Sequence, residues 1–210
     1  GAGTIATNGK PDATLALDPA APAHGDEVTM LMAGALPLAL HPRPESIAVI
    51  GWGSGLTTHT VLGSNTPRWV DSIEIERAMY DGARLYADRV ERAYHDPRSR
   101  LHIDDARTYF STGKKRYDVI ISEPSNPWVS GVSSLFTQQF YRFLGNHLDD
   151  DGIAIQWLQS YELSDPLLAT MLAALQEVFP DARVYATNAA DLVIVANRSG
   201  QAHAFNPDAW

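Results

Sequence analysis

The sequence contains no cysteine among its 210 residues. This excludes a disulfide framework, thiolate zinc sites, iron–sulfur clusters and a cysteine nucleophile. Long apolar runs are lacking too: Met30 to Leu40, the longest, contains Pro37 and falls short of the roughly 20 residues that span a bilayer. The seven histidines are scattered without ligand spacing, so we expect no metal. The lack of cysteine says nothing about the redox compartment; the expected location is the cytoplasm, either as a free protein or as the cytosolic domain of a larger membrane protein.

An excess of basic residues is also missing. The chain has 16 lysines and arginines against 25 aspartates and glutamates, which gives a net charge of −9. Such a chain does not attract phosphate backbones, so no nucleic-acid partner is expected. The 45% apolar and 20% charged content is typical of a globular protein with one large or two small domains.

Short apolar runs alternate with helical patterns through most of the chain. The predicted strands are 46–50, 70–75, 100–103, 117–122, 153–158, 183–186 and 192–196. The predicted helices are 26–40, 56–62, 78–90, a short one from 106, 135–148, and one capped by Ser164. This alternation predicts the α/β class, with seven strands in a mainly parallel sheet and helices on both faces. The last two strands are joined too closely for a crossover helix, so one of them must run antiparallel.

We divide the chain into three parts. Residues 1–23 form a short N-terminal β arm or hairpin, with Asn8-Gly9 as its turn. Residues 24–200 form the main domain, in which Asp151-Gly152 is expected to turn the chain into the fifth strand. Residues 201–210 are a C-terminal tail.

A glycine-rich run, Gly51-Trp52-Gly53-Ser54-Gly55, follows the first strand of the main domain. Glycines allow a tight turn and a close approach of the backbone to a ligand. The alternative is a plain turn between a strand and a helix. Glu74 ends the second strand at the distance expected for an acid that binds a ribose diol.

Two further strand ends carry polar residues. After the third strand, Asp104 and Asp105 can accept from the amine of adenine, or Asp105 can cap the next helix. After the fourth strand, Glu123-Pro124-Ser125-Asn126-Pro127-Trp128 joins a carboxylate, an amide and an indole in a loop stiffened by two prolines. The alternative is a rigid turn with its tryptophan packed on the core. Together these strand ends indicate a ligand that contains a nucleoside.

Seven runs, in order along the chain, match the motifs of one protein family. They are Asn8-Gly9-Lys10, IAVIGWGSGLTTHTVL, SIEIE, HDPRSRLHIDDARTYF, YDVIISEPSNPW, SLFTQQFY and GIAIQWLQ. With them, residues 7 to 198 resemble the spermidine/spermine synthase (polyamine aminopropyltransferase) family. The form SEPSNPWVSGVSSLFT is most similar to spermidine-synthase-like domains that are fused to membrane segments.

The resemblance implies a Rossmann-like, methyltransferase-type fold that uses decarboxylated S-adenosylmethionine, with intact S-adenosylmethionine as the alternative. The cofactor-binding residues that it implies are Gly51, Gly53, Ser54, Gly55, Glu74, Asp104 and Asp105. Glu123 takes the place of the catalytic aspartate, and Asn126 that of a second acid in the same loop. The expected substrate-binding residues are Asp26, Glu27, Trp128, Gln156 and Tyr161. The expected partner is a small amine or polyamine; a homodimer and an attached membrane domain stay open.

The chain departs from the family pattern at three places. Ser54 replaces an acid that helps to hold the terminal amine of the cofactor. Val28 to Met32 replaces an aromatic and acidic segment that binds the polyamine. The catalytic-loop acid is the longer Glu123. The acid set for a diamine is thus incomplete, and intact S-adenosylmethionine would also fit.

Three functions follow from this sequence. The first is transfer of an aminopropyl group from a sulfonium to an amine, with Glu123 as the base that takes the proton. The second is methyl transfer, in which Asn126 orients an amino group and Trp128 stacks on it. The third is an adenosyl-binding domain without turnover, within a larger membrane protein.

Overall fold

The chain begins with a β-hairpin that precedes the main sheet. The computed structural model describes residues 1–7, 10–18, 20–124, 132–160, 163–201 and 203–208. The hairpin pairs β1 (Ala2–Thr7) with β2 (Lys10–Ala16) in antiparallel register. The arm therefore has the predicted hairpin, while the predicted Asn8-Gly9 turn lies outside the described residues.

Seven strands form the main sheet. They are β3 (Ser46–Ile50), β4 (Trp69–Glu74), β5 (Ser99–Ile103), β6 (Tyr117–Ser122), β7 (Leu148–Gln159), β8 (Arg183–Ala186) and β9 (Asp191–Asn197). Their order is β5-β4-β3-β6-β7-β9-β8. The strands β3 to β7 are parallel, and β9 is antiparallel to both β7 and β8. The mainly parallel α/β fold, with one antiparallel strand in the closing pair, is thus confirmed.

Helices cover both faces of this sheet. They are α1 (Gly25–Leu40), α2 (Leu56–Val61), α3 (Arg77–Gly82), α4 (Glu91–His95), α5 (Ala106–Thr112), α6 (Gln138–Asn146) and α7 (Asp165–Gln176). Side chains of α1 and α2 share one core with the sheet, and those of α5, α6 and α7 share another. Because central strands are buried on both faces, they read as continuous apolar runs such as the SIAVI of β3. Within the described part of the chain, no helix has the length and apolar content to cross a bilayer.

A third apolar cluster joins the hairpin to the main domain. Ala13 and Leu15 of β2 are buried in it together with Met30 of α1 and Trp52 of the glycine-rich run. The hairpin therefore packs beside the loop that follows β3.

Two predicted helices differ from the structure. The expected helix 78–90 is split into α3, a 3-10 helix (Ala83–Tyr86) and α4. Its buried residues Ala83 and Tyr86 are three apart, the repeat of a 3-10 turn. The expected helix 135–148 begins later, because residues 135 and 136 belong to a 3-10 helix (Val132–Phe136) that precedes α6. It also ends earlier, at Asn146, and Leu148 begins β7. A single apolar residue at such a border fits a helical stripe and a buried strand equally well.

The predicted turn at Asp151-Gly152 is also wrong, since both residues lie within β7. Leu148 pairs with Tyr117, and Ile153 pairs with Val119. Between these two pairs, β7 therefore contains more residues than β6. This irregularity takes up the extra residues of β7 as a bulge.

Candidate functional site

The order of the strands reverses between β3 and β6. From β3 the chain continues to β4 and β5 on one side, whereas β6 and β7 lie on the other. In open α/β sheets, ligands bind in the crevice at the carboxyl ends of strands at such a point. The candidate site is therefore built from the glycine loop (residues 51–55) after β3 and Glu123 after β6.

Gly51 brings these two segments together. Its φ of +94° lies in the left-handed region, and a Cβ added there would lie 2.9 Å from the backbone oxygen of Glu123. The backbone also joins them directly, because Glu123 N–H donates to the Ile50 carbonyl at 2.9 Å. A glycine at position 51 thus lets the Glu123 backbone approach the loop.

Replacing Gly51 by alanine is expected to destabilise the fold by about 2 kcal/mol or more, since a positive φ and a close backbone contact both oppose a Cβ. The matched control is Gly82→Ala in α3, where a Cβ meets nothing within 4 Å. That change should raise the free energy of unfolding by about 0.5–1 kcal/mol, the helix preference of alanine over glycine. Chemical denaturation measures both variants. Wild-type stability of Gly51→Ala would contradict this account of the loop.

Two side chains of the glycine loop point into the protein. The Trp52 ring is buried against Tyr80 and Tyr94, with ring centroids 4.8 and 5.2 Å away. The Ser54 hydroxyl is fully buried and donates to Met30 Sδ at 3.1 Å. The Ser54 side chain thus joins the loop to α1, and its contact with a cofactor stays a prediction.

Glu74 lies at the carboxyl end of β4 and holds the glycine loop. Its Oε2 accepts from Trp52 N–H and its Oε1 accepts from Glu76 N–H, each at 2.8 Å. The side chain is only 8% exposed. Because each carboxylate oxygen has more than one acceptor site, both can also accept from a ligand hydroxyl. Ribose binding by Glu74 stays a prediction, and this geometry is compatible with it.

Two exposed apolar side chains flank Glu74. Ile75 is 64% exposed, and Ile103, the neighbour of Glu74 in the β4–β5 register, is 40% exposed. The sequence analysis missed both. The sequence signal that could have identified them is an isoleucine next to an acid at a strand end: Ile75 follows Glu74, and Ile103 precedes Asp104. Together they offer apolar surface beside the predicted ribose acid.

Asp105 has the capping role that was one of its two predicted readings. Its side chain accepts from Thr108 N–H at 3.0 Å and so caps α5. Asp104 Oδ1 accepts from Asp105 N–H at 2.8 Å, and Asp104 N–H donates to the Glu74 carbonyl. Adenine binding by either aspartate stays a prediction.

Glu123 is a buried acid at the centre of the site. Its side chain is 9% exposed, and its Oε1 has no partner among the described residues. Burial raises its pKa to about 8, although a hydrogen bond from Thr57 opposes the shift. A carboxyl with this pKa is mostly protonated at neutral pH, and it becomes a base when a bound positive charge lowers its pKa.

Gln156 of β7 lies beside the end of β6. Its Nε2 donates to the carbonyls of Ser122 and Trp157, at 3.3 and 2.8 Å. Its Oε1 and the Ser122 hydroxyl are buried and have no partner in the described part of the chain. Buried polar atoms are rarely left unpaired, so these neighbours of Glu123 mark a place for a polar ligand or water. Sequence reasoning missed Ser122, an undistinguished serine at the end of an apolar strand.

Glu27, an expected substrate-binding residue, has partners within the fold, and its contact with a substrate stays a prediction. Its side chain is buried, with Oε1 accepting from Ala16 N–H and Oε2 accepting from Arg89 at 3.1 Å. Both oxygens therefore hold structural partners, one on β2 and one after the 3-10 helix. The sequence could not foresee this, because Arg89 is distant along the chain.

Asp26, the preceding residue, has different surroundings. It is half-buried, and burial together with nearby Asp191 raises its pKa. Asp191 begins β9, is itself buried, and accepts from Trp157 Nε1 at 3.1 Å. Two carboxyls near each other favour a cation between or beside them. Asp191 was not predicted from the sequence as a site residue. The available signal was an acid at the first position of an apolar strand.

Three expected site residues, Asn126, Trp128 and Tyr161, lie outside the described residues. Among the residues that the structure does describe, no group of histidines and acids could hold a metal ion.

Comparisons with known proteins agree on one family. A family model described as "Spermine/spermidine synthase domain" matches residues 28–192. The polyamine aminopropyltransferase of Nitrosomonas europaea is 32% identical over 151 residues, covering 71% of this chain and 46% of that protein. The chain thus spans about half the length of the curated relatives it matches.

Solved structures share the fold. A spermidine synthase in complex with the transition-state analogue AdoDATO has a TM-score of 0.75 at 24% identity, covering 84% of this chain and 62% of that one. Human methyltransferase-like protein 13 in complex with SAH has a TM-score of 0.64 at 22% identity, covering 86% and 82%. A methyltransferase-like sheet is therefore common to all three chains.

Proposed function

Because the chain belongs to the spermine/spermidine synthase family, we propose that it transfers an aminopropyl group from decarboxylated S-adenosylmethionine to an amine. The proposal depends most on one observation: a buried Glu123 with an unpartnered oxygen lies against the glycine loop at the carboxyl end of β6. The acceptor is a small amine or polyamine. The transfer needs no metal.

The donor lies along the carboxyl ends of β3, β4 and β5 in this proposal. Glu74 accepts from the ribose hydroxyls while keeping its bonds to Trp52 and Glu76. Exposed Ile75 and Ile103 pack against the adenine, which Asp104 or Asp105 binds through its exocyclic amine. Burial of these apolar side chains by the ligand stabilises the complex in proportion to the area covered. The chain thus has a place for each part of an adenosyl group.

Glu123 acts on the acceptor. An amine with a pKa of ~10.4 arrives as an ammonium ion, and its positive charge lowers the pKa of the buried carboxyl. The carboxyl then loses its own proton to solvent, and the resulting carboxylate takes one proton from the ammonium, which frees the nitrogen lone pair. Gln156 Oε1 and the Ser122 hydroxyl can accept the other N–H groups and orient the nitrogen. Glu123 later releases the proton to solvent.

The donor supplies a carbon activated by its bond to a positively charged sulfur. As the new C–N bond forms, the C–S bond breaks and its electron pair stays on sulfur, leaving a neutral thioether nucleoside. The positive charge moves to the product, a secondary ammonium. The low-dielectric surroundings of Glu123 favour this dispersal of charge away from water.

Product analysis tests the proposal. The chain is incubated with decarboxylated or intact S-adenosylmethionine and with 1,4-diaminobutane, spermidine or a monoamine. The expected product is 5′-methylthioadenosine, formed only with the decarboxylated donor and only with an amine. Formation of S-adenosylhomocysteine from the intact donor would establish methyl transfer instead. Tight donor binding with neither product would establish a non-catalytic adenosyl-binding domain.

A further inference from the structure

The second strand of the hairpin, β2, packs against the glycine loop. A Cβ placed on Gly53 would lie 3.8 Å from the Cβ of Ala13, which is ordinary van der Waals contact. Ala13 and Leu15 of β2 are buried with Trp52 of the loop. Any shift of β2 would therefore change the boundary of the candidate site.

An ion pair holds β2 at one peptide position. Glu27 of α1 accepts from Ala16 N–H, and Arg89 donates to the Ala16 carbonyl. Arg89 Nη2 also donates to Glu27 Oε2 at 3.1 Å. The Arg89 side chain is 18% exposed and that of Glu27 is 2% exposed, so solvent screens this pair little. We call Glu27 and Arg89 the Ala16 clamp.

The clamped strand also carries a residue that acts on Asp26. Thr14, two residues before Ala16, is buried and lies close enough to Asp26 to oppose the rise of its pKa by hydrogen bonding. Asp26 and Glu27 are consecutive on α1, so the helix points them about 100° apart. Glu27 therefore binds β2 at Ala16, while Asp26 is oriented by Thr14 of the same strand.

Asp26 lies on the acceptor side of the site. It is close enough to Asp191 for the two charges to interact, and β9 lies beyond β6 and β7 in the sheet. Glu74 ends β4 and Asp104 follows β5, and both strands lie on the opposite side of β6. A ligand that crosses the edge from Glu74 past Glu123 therefore has its acceptor end near Asp26.

We propose that Glu27 and Arg89 are positioning residues that hold β2 in register and thereby aim the Asp26 carboxylate at an ammonium group of the acceptor. This inference rests on the proposed aminopropyl transfer. Neither clamp residue touches the substrate. Their effect passes through Ala16 and Thr14 to Asp26.

Kinetics of Arg89→Met test the proposal. Loss of hydrogen bonds to a charged group is expected to raise KM for the amine about tenfold or more. The kcat at saturating amine and the donor Kd should stay near wild type, because Glu123 and Glu74 are unchanged. Arg89→Lys keeps the charge and should restore most of the amine KM. The matched control is Arg77→Met, which breaks the exposed Arg77–Asp81 pair and should leave KM unchanged.

Hydrogen exchange gives a readout that does not need activity. The Ala16 amide should lose protection in Arg89→Met but not in Arg77→Met, with circular dichroism showing both variants folded. If Arg89→Met does not fold, the same measurement is made on Glu27→Gln, which retains an acceptor for Ala16 N–H.

The two readouts separate the inference from the proposed function. An active wild type whose amine KM is unchanged in Arg89→Met would overturn the inference, as would unchanged protection of Ala16. If the wild type transfers no group to any amine, the proposed function fails. If, in that inactive protein, the Ala16 amide still loses protection in Arg89→Met, the Ala16 clamp is established. Its role in aiming Asp26 at a substrate is overturned.

Discussion

Replacing Glu123 by glutamine is expected to lower kcat by about 10²–10⁴, the contribution of a positioned general base. The amide keeps the shape of the side chain but cannot take a proton from the acceptor. Donor affinity should change little, because Glu74 and the glycine loop keep their contacts. Steady-state kinetics and calorimetric titration with the donor measure the two effects separately.

The same variant should be more stable than the wild type at high pH. Burial raises the pKa of Glu123 from its ordinary 4.5 to about 8, so the folded state keeps a proton that the unfolded state has lost. The free energy of unfolding of the wild type therefore falls as pH rises through this window, by on the order of 5 kcal/mol in total. Glutamine does not ionise, and its advantage should grow from about pH 5 to pH 8. Urea unfolding at several pH values checks this.

The control for both effects is Glu91→Gln, at an exposed position on α4. It should change neither kcat nor the pH dependence of stability. Full turnover in Glu123→Gln would remove Glu123 as the base. A stability difference from wild type that does not vary with pH would contradict the raised pKa.

The second large effect is expected at Glu74. Glu74→Ala removes the acceptor of two backbone N–H groups, and each hydrogen bond to a charged group contributes about 1.5–3 kcal/mol. The glycine loop should lose its anchor at Trp52, and donor affinity should fall about 100-fold or more with the loss of the ribose contacts. Calorimetric titration with the donor measures the affinity, and chemical denaturation measures the stability.

Glu74→Gln separates folding from binding, because it keeps one oxygen acceptor and the side-chain shape. The matched control is Glu76→Gln, an exposed acid two residues further along. We expect weaker donor binding only in the Glu74 variant. Equal donor affinity of Glu74→Gln and the wild type would contradict a ribose contact at this position.

The central strands could be predicted from the sequence because they are buried on both faces. The bounds of β3 and β6 match the predicted ones, since an apolar run that ends at glycines or an acid has few other interpretations. The predicted helix 78–90 was wrong where Ala83 and Tyr86 face the core at 3-10 spacing. Periodicity over a short segment does not separate these two helices.

The candidate site could be predicted only where a residue directly follows a strand. Glu74 and Glu123 lie at the expected edge for that reason. The ion pair of Glu27 with Arg89 could not be predicted because the two residues come from distant segments. Asp191 was missed because it lies near Asp26 only in the folded chain. Long-range pairing of this kind leaves no local pattern in a single sequence.

Titration of the Glu123 carboxyl by carbon-13 NMR, with Glu123→Gln to assign the signal, tests the central claim most directly. The free protein should show a pKa of about 8, and the pKa should fall when donor and amine add their positive charges nearby. A carboxyl that titrates near 4.5 and does not respond to either ligand would contradict a buried base at the place of transfer.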